Sequence, residues 1–287
     1  MTGPAAAADT GSRRRRFVAP LREAVAPACF SHPLFAGLHD FHALMMAAGW
    51  PSVDALDASL ALPGKHLVVQ DDVLLADGLH YERRIAERGQ IATRACSWHD
   101  LFNALVWARY PSLKRVLNAR QCLHIAAMGA GGRNRAQAAL TQFDETGVIV
   151  RVRDAGLLAA WDRHDWEGVF VHGAGQWRDG DIAIAAVVGH ALMEQALLPE
   201  RLLVGKCVVV LGDEDAACIA NVTQAISEGR VLEDPLHLRP LPLAGIPGWR
   251  GGQDGAFYRQ SDYFRPLREG RVYPPPIGGM RDQGTER

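Results

Sequence analysis

Two histidines in this 287-residue chain stand beside groups that could tune them. His99 precedes Asp100 and lies four residues before Asn103, and His190 lies four residues before Glu194, so each set shares one face if its segment is helical. An imidazole oriented by a carboxylate can take and return a proton near neutral pH, and His99, Asp100, Asn103, His190 and Glu194 are therefore the candidate catalytic set. Asp144 and Glu145 are adjacent carboxylates, and together with His99 and His190 they offer the ligand types of a divalent metal. Plainer readings stand beside these. His190 and Glu194 also fit a hydrogen-bonded core pair, and Asp144 and Glu145 fit a solvated turn in which Gly147 supplies a positive φ.

A third group, His39, Asp40 and His42, invites a metal reading, but no cysteine or second carboxylate completes it, and a packing or surface role is expected. Neither an H-E-x-x-H helix nor a G-x-S-x-G elbow occurs.

Charge is unevenly spread. Tyr81 to Arg135 carries ten cations against three anions, while the whole chain has a formal net charge of -1. Nine of the ten are arginines, whose planar forks suit oxyanions, and Arg94, Arg120, Arg133 and Arg135 are the candidate anion-binding residues. The expected partner is an anionic small molecule, with nucleic acid less favoured because the total charge is near zero. Alternatively, the arginines pair with acids elsewhere in the chain. Gly129, Gly131 and Gly132, with Arg151 and Arg153 beyond, resemble a phosphate cradle, but Asn134 stands where the third glycine of a dinucleotide fingerprint belongs. A plain loop is expected there.

These residues must be positioned by ordinary elements. Hydrophobic content of 48% is ample for a core, and the most apolar stretch is interrupted by His190, Glu194 and Gln195, so no membrane span is expected. Five cysteines without a C-x-x-C pair suit reduced thiols in a cytoplasmic protein. Arg14 to Phe17 mimics an export signal, but Arg22, Glu23 and two prolines interrupt the apolar region that would have to follow.

The pattern predicts helices over Phe17 to Val25, Leu34 to Ala48 and Asp54 to Leu60, then a hairpin or paired strands of Tyr81 to Ile85 with Gln90 to Arg94 around Gly89. Ser97 caps a helix that Pro111 ends, with Asp100 in the capping-box position. A second helix from Ser112 to about Arg120 places Lys114, Asn118 and Gln121 together, or Arg115 with Asn118, and Gln121 to Met128 fits either its continuation or a strand. Arg133 to Phe143 reads as a helix, Val148 to Val152 as a strand, and Asp181 to Leu198 as the most apolar helix. Lys206 to Leu211 reads as a strand, Ala216 to Ser227 as a helix, and Arg239 to Trp249 as an extended strap. The expected fold is α+β: mixed helices with a small, partly antiparallel sheet. Its organisation is a disordered tail over 1–16, a single domain over 17–270 with a helical N-terminal section (17–62) and a core (63–270), and a flexible tail over 271–287.

Four blocks, TRACSWHDLFNALVWARYPSLKRVLNAR, ALTQFDETGVIV, VVGHALMEQALLP and PLPLAGIPGW with FYRQSDYFRP, resemble a bacterial family catalogued as domain of unknown function 3025. The resemblance implies that the blocks belong to one folded unit and brings no activity with it. If they converge, His99, Asp100 and Asn103 meet His190, Glu194 and Asp144 or Glu145 near Arg94, Arg120 and Arg135. Such a site could activate water, with or without a divalent metal. The competing expectations are a nucleotide- or nucleic-acid-binding protein, with Trp98, Phe102, Trp107 and Tyr110 stacking bases, and a structural or partner-binding module.

Overall fold

The computed structural model describes residues 17–129 and 132–278, so the tail over 1–16, the tip of the glycine-rich loop and the end of the C-terminal tail lie outside the described residues. The fold is α+β. The N-terminal section is less α-helical than its periodicity suggests. It consists of 3-10 turns at Arg22–Ala24, Pro27–Ser31 and Pro33–Phe41, one α-turn at His42–Met46, and a capped helix, Val53–Leu60 (α1). Pro20, Pro27 and Pro33 explain the difference, because each removes an amide donor and restricts the residue before it.

His66–Val69 (β1) is followed by a single helical turn, Asp72–Leu75, and then by Tyr81–Arg88 (α2), which is a helix and not the first arm of a hairpin. Its ends carry helical signals: His80 accepts from the Glu82 amide, Arg83 pairs with Glu87 four residues on, and Gly89 closes it at φ 68°. Gln90–Thr93 (β2) then pairs in parallel with β1.

Trp98–Arg109 (α3) is the central helix. Trp98, Leu101, Phe102, Leu105, Val106 and Trp107 are all buried, so it is apolar on most of its circumference. Pro111–Met128 (α4) continues through Gln121 to Met128 as one helix, with Pro at its first position. Arg135–Thr146 (α5) has a complete capping box, Asn134 with Gln137, so Asn134 serves as a helix cap.

Gly147–Val152 (β3) leaves α5 directly. Ile182–Val187 (β4) follows a series of short helical turns, and His190–Ala196 (α6) follows β4. The apolar run from Asp181 is therefore a strand and a short helix, broken at Val188 and Gly189. Val204–Leu211 (β5), Asp215–Ser227 (α7) and Arg239–Pro242 (β6) complete the main sheet, in the order β4-β3-β5-β6. The β3–β5 pair is parallel, while β3–β4 and β5–β6 are antiparallel. Part of the predicted flexible tail is docked: the Ile277 amide donates to Val209 O and Ile277 O accepts from the Leu211 amide, extending the row begun by β6.

α3 is packed by α6, α4, α1 and the Pro33–Phe41 turns, and α5 and α7 cover the sheet. Among the described residues no helix is long and apolar enough to cross a membrane.

Candidate functional site

The site forms where two glycine-bearing turns touch. Gly147 O accepts from the amides of both Val188 and Gly189 at 2.9 Å, tying the start of α6 to the end of α5. A Cβ on Gly189 would lie 2.5 Å from Thr146 Cα, so only glycine permits this approach. Gly147 itself is extended, with φ −72°, and its role is also one of space, since a Cβ there would stand 2.1 Å from Phe143 O. The predicted positive-φ turn is thus absent, and Asp144 and Glu145 lie on the last turn of α5, facing His190.

α3 brings His99 to the same point. Ser97 Oγ accepts from the Asp100 amide, as predicted, but the Asp100 carboxylate turns outward to Arg94, taking its backbone amide at 2.5 Å and its guanidinium at 2.7 and 3.0 Å. The cap is therefore half of a capping box, and its second half fixes Arg94. His99 Nε2 lies 3.1 Å from His190 Nε2, with the rings at 79°. His99 Nδ1 faces Glu194 Oε2 at 3.3 Å, and His190 Nε2 is 3.6 Å from Glu145 Oε2. The buried His190 Nδ1 has no hydrogen-bond partner and sits 3.9 Å from Asp144 Oδ2.

The imidazoles open onto a cavity of about 250 Å³. Its wall is a polar network spanning four helices. Tyr81 OH accepts from Asn103 Nδ2 at 3.0 Å, Asn103 Oδ1 accepts from Lys114 Nζ at 3.0 Å, and Lys114 also donates to Asp144. Asn118 donates to the Glu82 carboxylate at 2.6 Å, and Gln121 donates to Thr141 Oγ1 at 3.0 Å. Trp107, Ile85, Leu117 and Leu140 supply the apolar part of the lining.

Burial and neighbouring charge split the ionisable groups. Burial pushes His190 down to about 3, which keeps it neutral. Burial also opposes protonation of His99, but the hydrogen bond it donates to Glu194 and the nearby carboxylates of Glu145 and Asp100 outweigh it and raise this histidine. Burial would raise Asp144, yet Lys114 and then the histidines hold it below the usual carboxylate range. Burial raises Glu145 and pushes Glu82 up to about 7, the latter against the Asn118 hydrogen bond.

Of the predicted residues, His99, Asp100, Asn103, His190, Asp144, Glu145 and Arg94 line the cavity, and Glu194 stands behind His99. Arg120, Arg133 and Arg135 do not reach it. Arg120 pairs with Glu233, Arg133 donates to Thr141 Oγ1, and Arg135 forms a two-pronged pair with Asp234. Arg151 pairs with Asp215, and Arg153 with Asp181 and Asp213, so both are committed outside the cavity. Asp40 pairs with exposed His39, while His42 faces Phe30 O, which places that cluster at the surface. Lys114, Asn118 and Gln121 share a face as expected, and this stripe was the sequence signal for a cavity wall. Tyr81 and Glu82 were missed because their segment reads as a strand.

Residues 66–268 match the family described as "Protein of unknown function (DUF3025)", and the chain belongs to that family. No curated protein and no solved structure matches the chain.

Proposed function

We propose that this protein is a hydrolase for a small polar molecule, with water activated between His99, His190 and Glu145. The observation that carries the reading is the meeting of two imidazoles at 3.1 Å, from positions ninety-one residues apart, at the floor of a cavity that carboxylates surround. Neutral His190 and carboxylate-backed His99 supply a proton acceptor and a positioned donor, the division of labour that general acid and base catalysis needs. Arg94 is the cation for an anionic group on the substrate. Its side chain remains about half exposed (54%) while paired to Asp100. Lys114, buried and hydrogen-bonded to Asp144 and Asn103, shapes the wall.

The size of the cavity favours a small ligand over a nucleic-acid strand. Trp98, Phe102 and Trp107, the aromatics a strand-binding protein would use for stacking, are at most 3% exposed. The reading is tested by incubating the chain with a small-molecule cell extract in ¹⁸O-water and following consumed compounds and labelled products by mass spectrometry. Label entering a product with the natural chain, and not with His190→Ala or Glu145→Gln, supports hydrolysis. Labelling that is identical with both variants refutes it.

A further inference from the structure

We infer that His99 Nε2, His190 Nε2 and a Glu145 carboxylate oxygen form a binding site for one divalent transition-metal ion, open to the cavity. Their ligand atoms lie within 4.8 Å of one another. Two imidazole nitrogens 3.1 Å apart, each about 2.1 Å from a common ion, subtend roughly 95°, within the range of transition-metal coordination.

The outer nitrogens make the case stronger than spacing alone. Glu194 faces His99 Nδ1 and holds a hydrogen there, so the neutral ring carries its lone pair on Nε2. Asp144 Oδ2 lies 3.9 Å from His190 Nδ1, and this nitrogen is buried and has no hydrogen-bond partner. A hydrogen on it is the arrangement a nearby carboxylate favours, and that again leaves the lone pair on Nε2. With both rings neutral, two acceptor nitrogens then stand 3.1 Å apart, a contact that a shared proton or a metal ion makes attractive. A metal ion also gains the Glu145 carboxylate, 3.6 Å from His190 Nε2, as a third ligand. Carboxylates behind metal-bound histidines are the usual device for fixing their tautomer.

The donor set also narrows the ion. Two imidazoles and one carboxylate suit zinc, cobalt, iron or manganese and disfavour magnesium and calcium, which take oxygen ligands. Three protein ligands leave coordination positions free on the cavity side, the mark of a catalytic site as opposed to a closed structural one. Such an ion would lower the pKa of a bound water, yet the inference stands or falls on binding and does not depend on the hydrolytic reading.

The experiment uses the full chain, purified without an affinity tag, stripped with chelator and titrated with Zn²⁺ by calorimetry and with Co²⁺ by visible absorption. The expected result is one ion per chain, with binding weakened about 100-fold or more in Glu145→Gln and in His190→Ala. Glu194→Gln, which touches only the outer nitrogen of His99, is expected to weaken binding about 10- to 100-fold and keep the stoichiometry. His39→Ala, at the exposed histidine cluster, should bind as the natural chain does. Glu145→Gln preserves shape, and circular dichroism confirms that it folds. Absence of a saturable site for either ion overturns the inference, and so does unchanged affinity in folded Glu145→Gln. Zinc binding without any hydrolysis would leave the metal site standing and remove only the proposed activity.

Discussion

The buried ammonium of Lys114 is the sharpest place to test how the site is held together. Its side chain is 4% exposed and donates to Asp144 and to Asn103 Oδ1. Replacing it with methionine keeps most of the volume and removes the charge, leaving the Asp144 carboxylate without its hydrogen-bonded cation. Breaking one side of a buried ion pair costs about 3–5 kcal/mol, far more than the loss of a surface pair. Lys114→Met should therefore lose about that much stability in urea at pH 7, followed by circular dichroism. Asp144→Asn in the same background should restore a large part of it, because the orphaned charge is gone. The sign with pH is fixed as well. In the natural chain Asp144 is held below its ordinary value, so its contribution is present above the unfolded carboxylate pKa and is lost as pH falls through the folded one. In the variant Asp144 loses the cation that holds it down, so its penalty also fades on acidification, and the two stability curves should converge only once pH falls below the depressed folded pKa of Asp144. A deficit under about 1 kcal/mol at pH 7, or no recovery in the double variant, would refute the idea that this pair anchors the cavity.

Three further outcomes are expected. Gly189→Ala places a methyl 2.5 Å from Thr146 Cα, and because the obstacle is backbone it should cost at least about 1–3 kcal/mol by thermal unfolding and weaken zinc binding as α6 shifts from α5. Glu82→Gln should leave stability unchanged at pH 4 and raise it by up to about 3 kcal/mol above pH 7, since a carboxyl pushed up to about 7 disfavours folding as pH climbs from its unfolded value; a flat difference across that range would contradict the assignment. Arg22 lies against the rings of both Trp50 and Trp98, at 4.5 and 4.8 Å, and donates to the carbonyls of Leu44 and Ala47, so Arg22→Ala should lose about 2–4 kcal/mol in urea, and Arg22→Lys should recover little because an ammonium cannot span those acceptors.

Much of this site was legible locally. The stripe of Lys114, Asn118 and Gln121 is a one-dimensional pattern that survives folding unchanged, whereas the i, i+4 spacing of His190 and Glu194 brings both to the site without pairing them, because Glu194 faces His99 and His190 faces Asp144 and Glu145. The strand at β3 and the helix after Ser97 likewise follow from β-branched composition and a capping serine. The α2 segment misleads because alternation over five residues mimics a strand, while the glycine that ends it in the left-handed region also suits a hairpin turn. The break between β4 and α6 depends on contact with Gly147, some forty residues away in sequence, and no local pattern encodes that contact. The arginines are the clearest case. Arg120 and Arg135 meet their acids 113 and 99 residues onward, so part of the basic stretch is neutralised by partners that sequence distance hides.

That neutralisation changes what the cavity can be. With the outer arginines paired, Arg94 and Lys114 are the cations in its lining, facing Glu82, Asp100, Asp144 and Glu145. An anion entering it would meet a surplus of carboxylates, and a divalent ion between the histidines would offset that surplus at the point where chemistry is proposed. All of the cavity lining falls between Gln70 and His190, inside the family match, whereas the N-terminal turns lie before it. Those turns still act on the site. Phe30, Phe35 and Trp50 pack on Trp98 and Phe102, the residues flanking His99 on α3. They brace the far side of the helix whose near side carries the imidazole. Loosening that brace, as Arg22→Ala should do, would move His99 without touching any group in the cavity, so zinc affinity should fall along with stability.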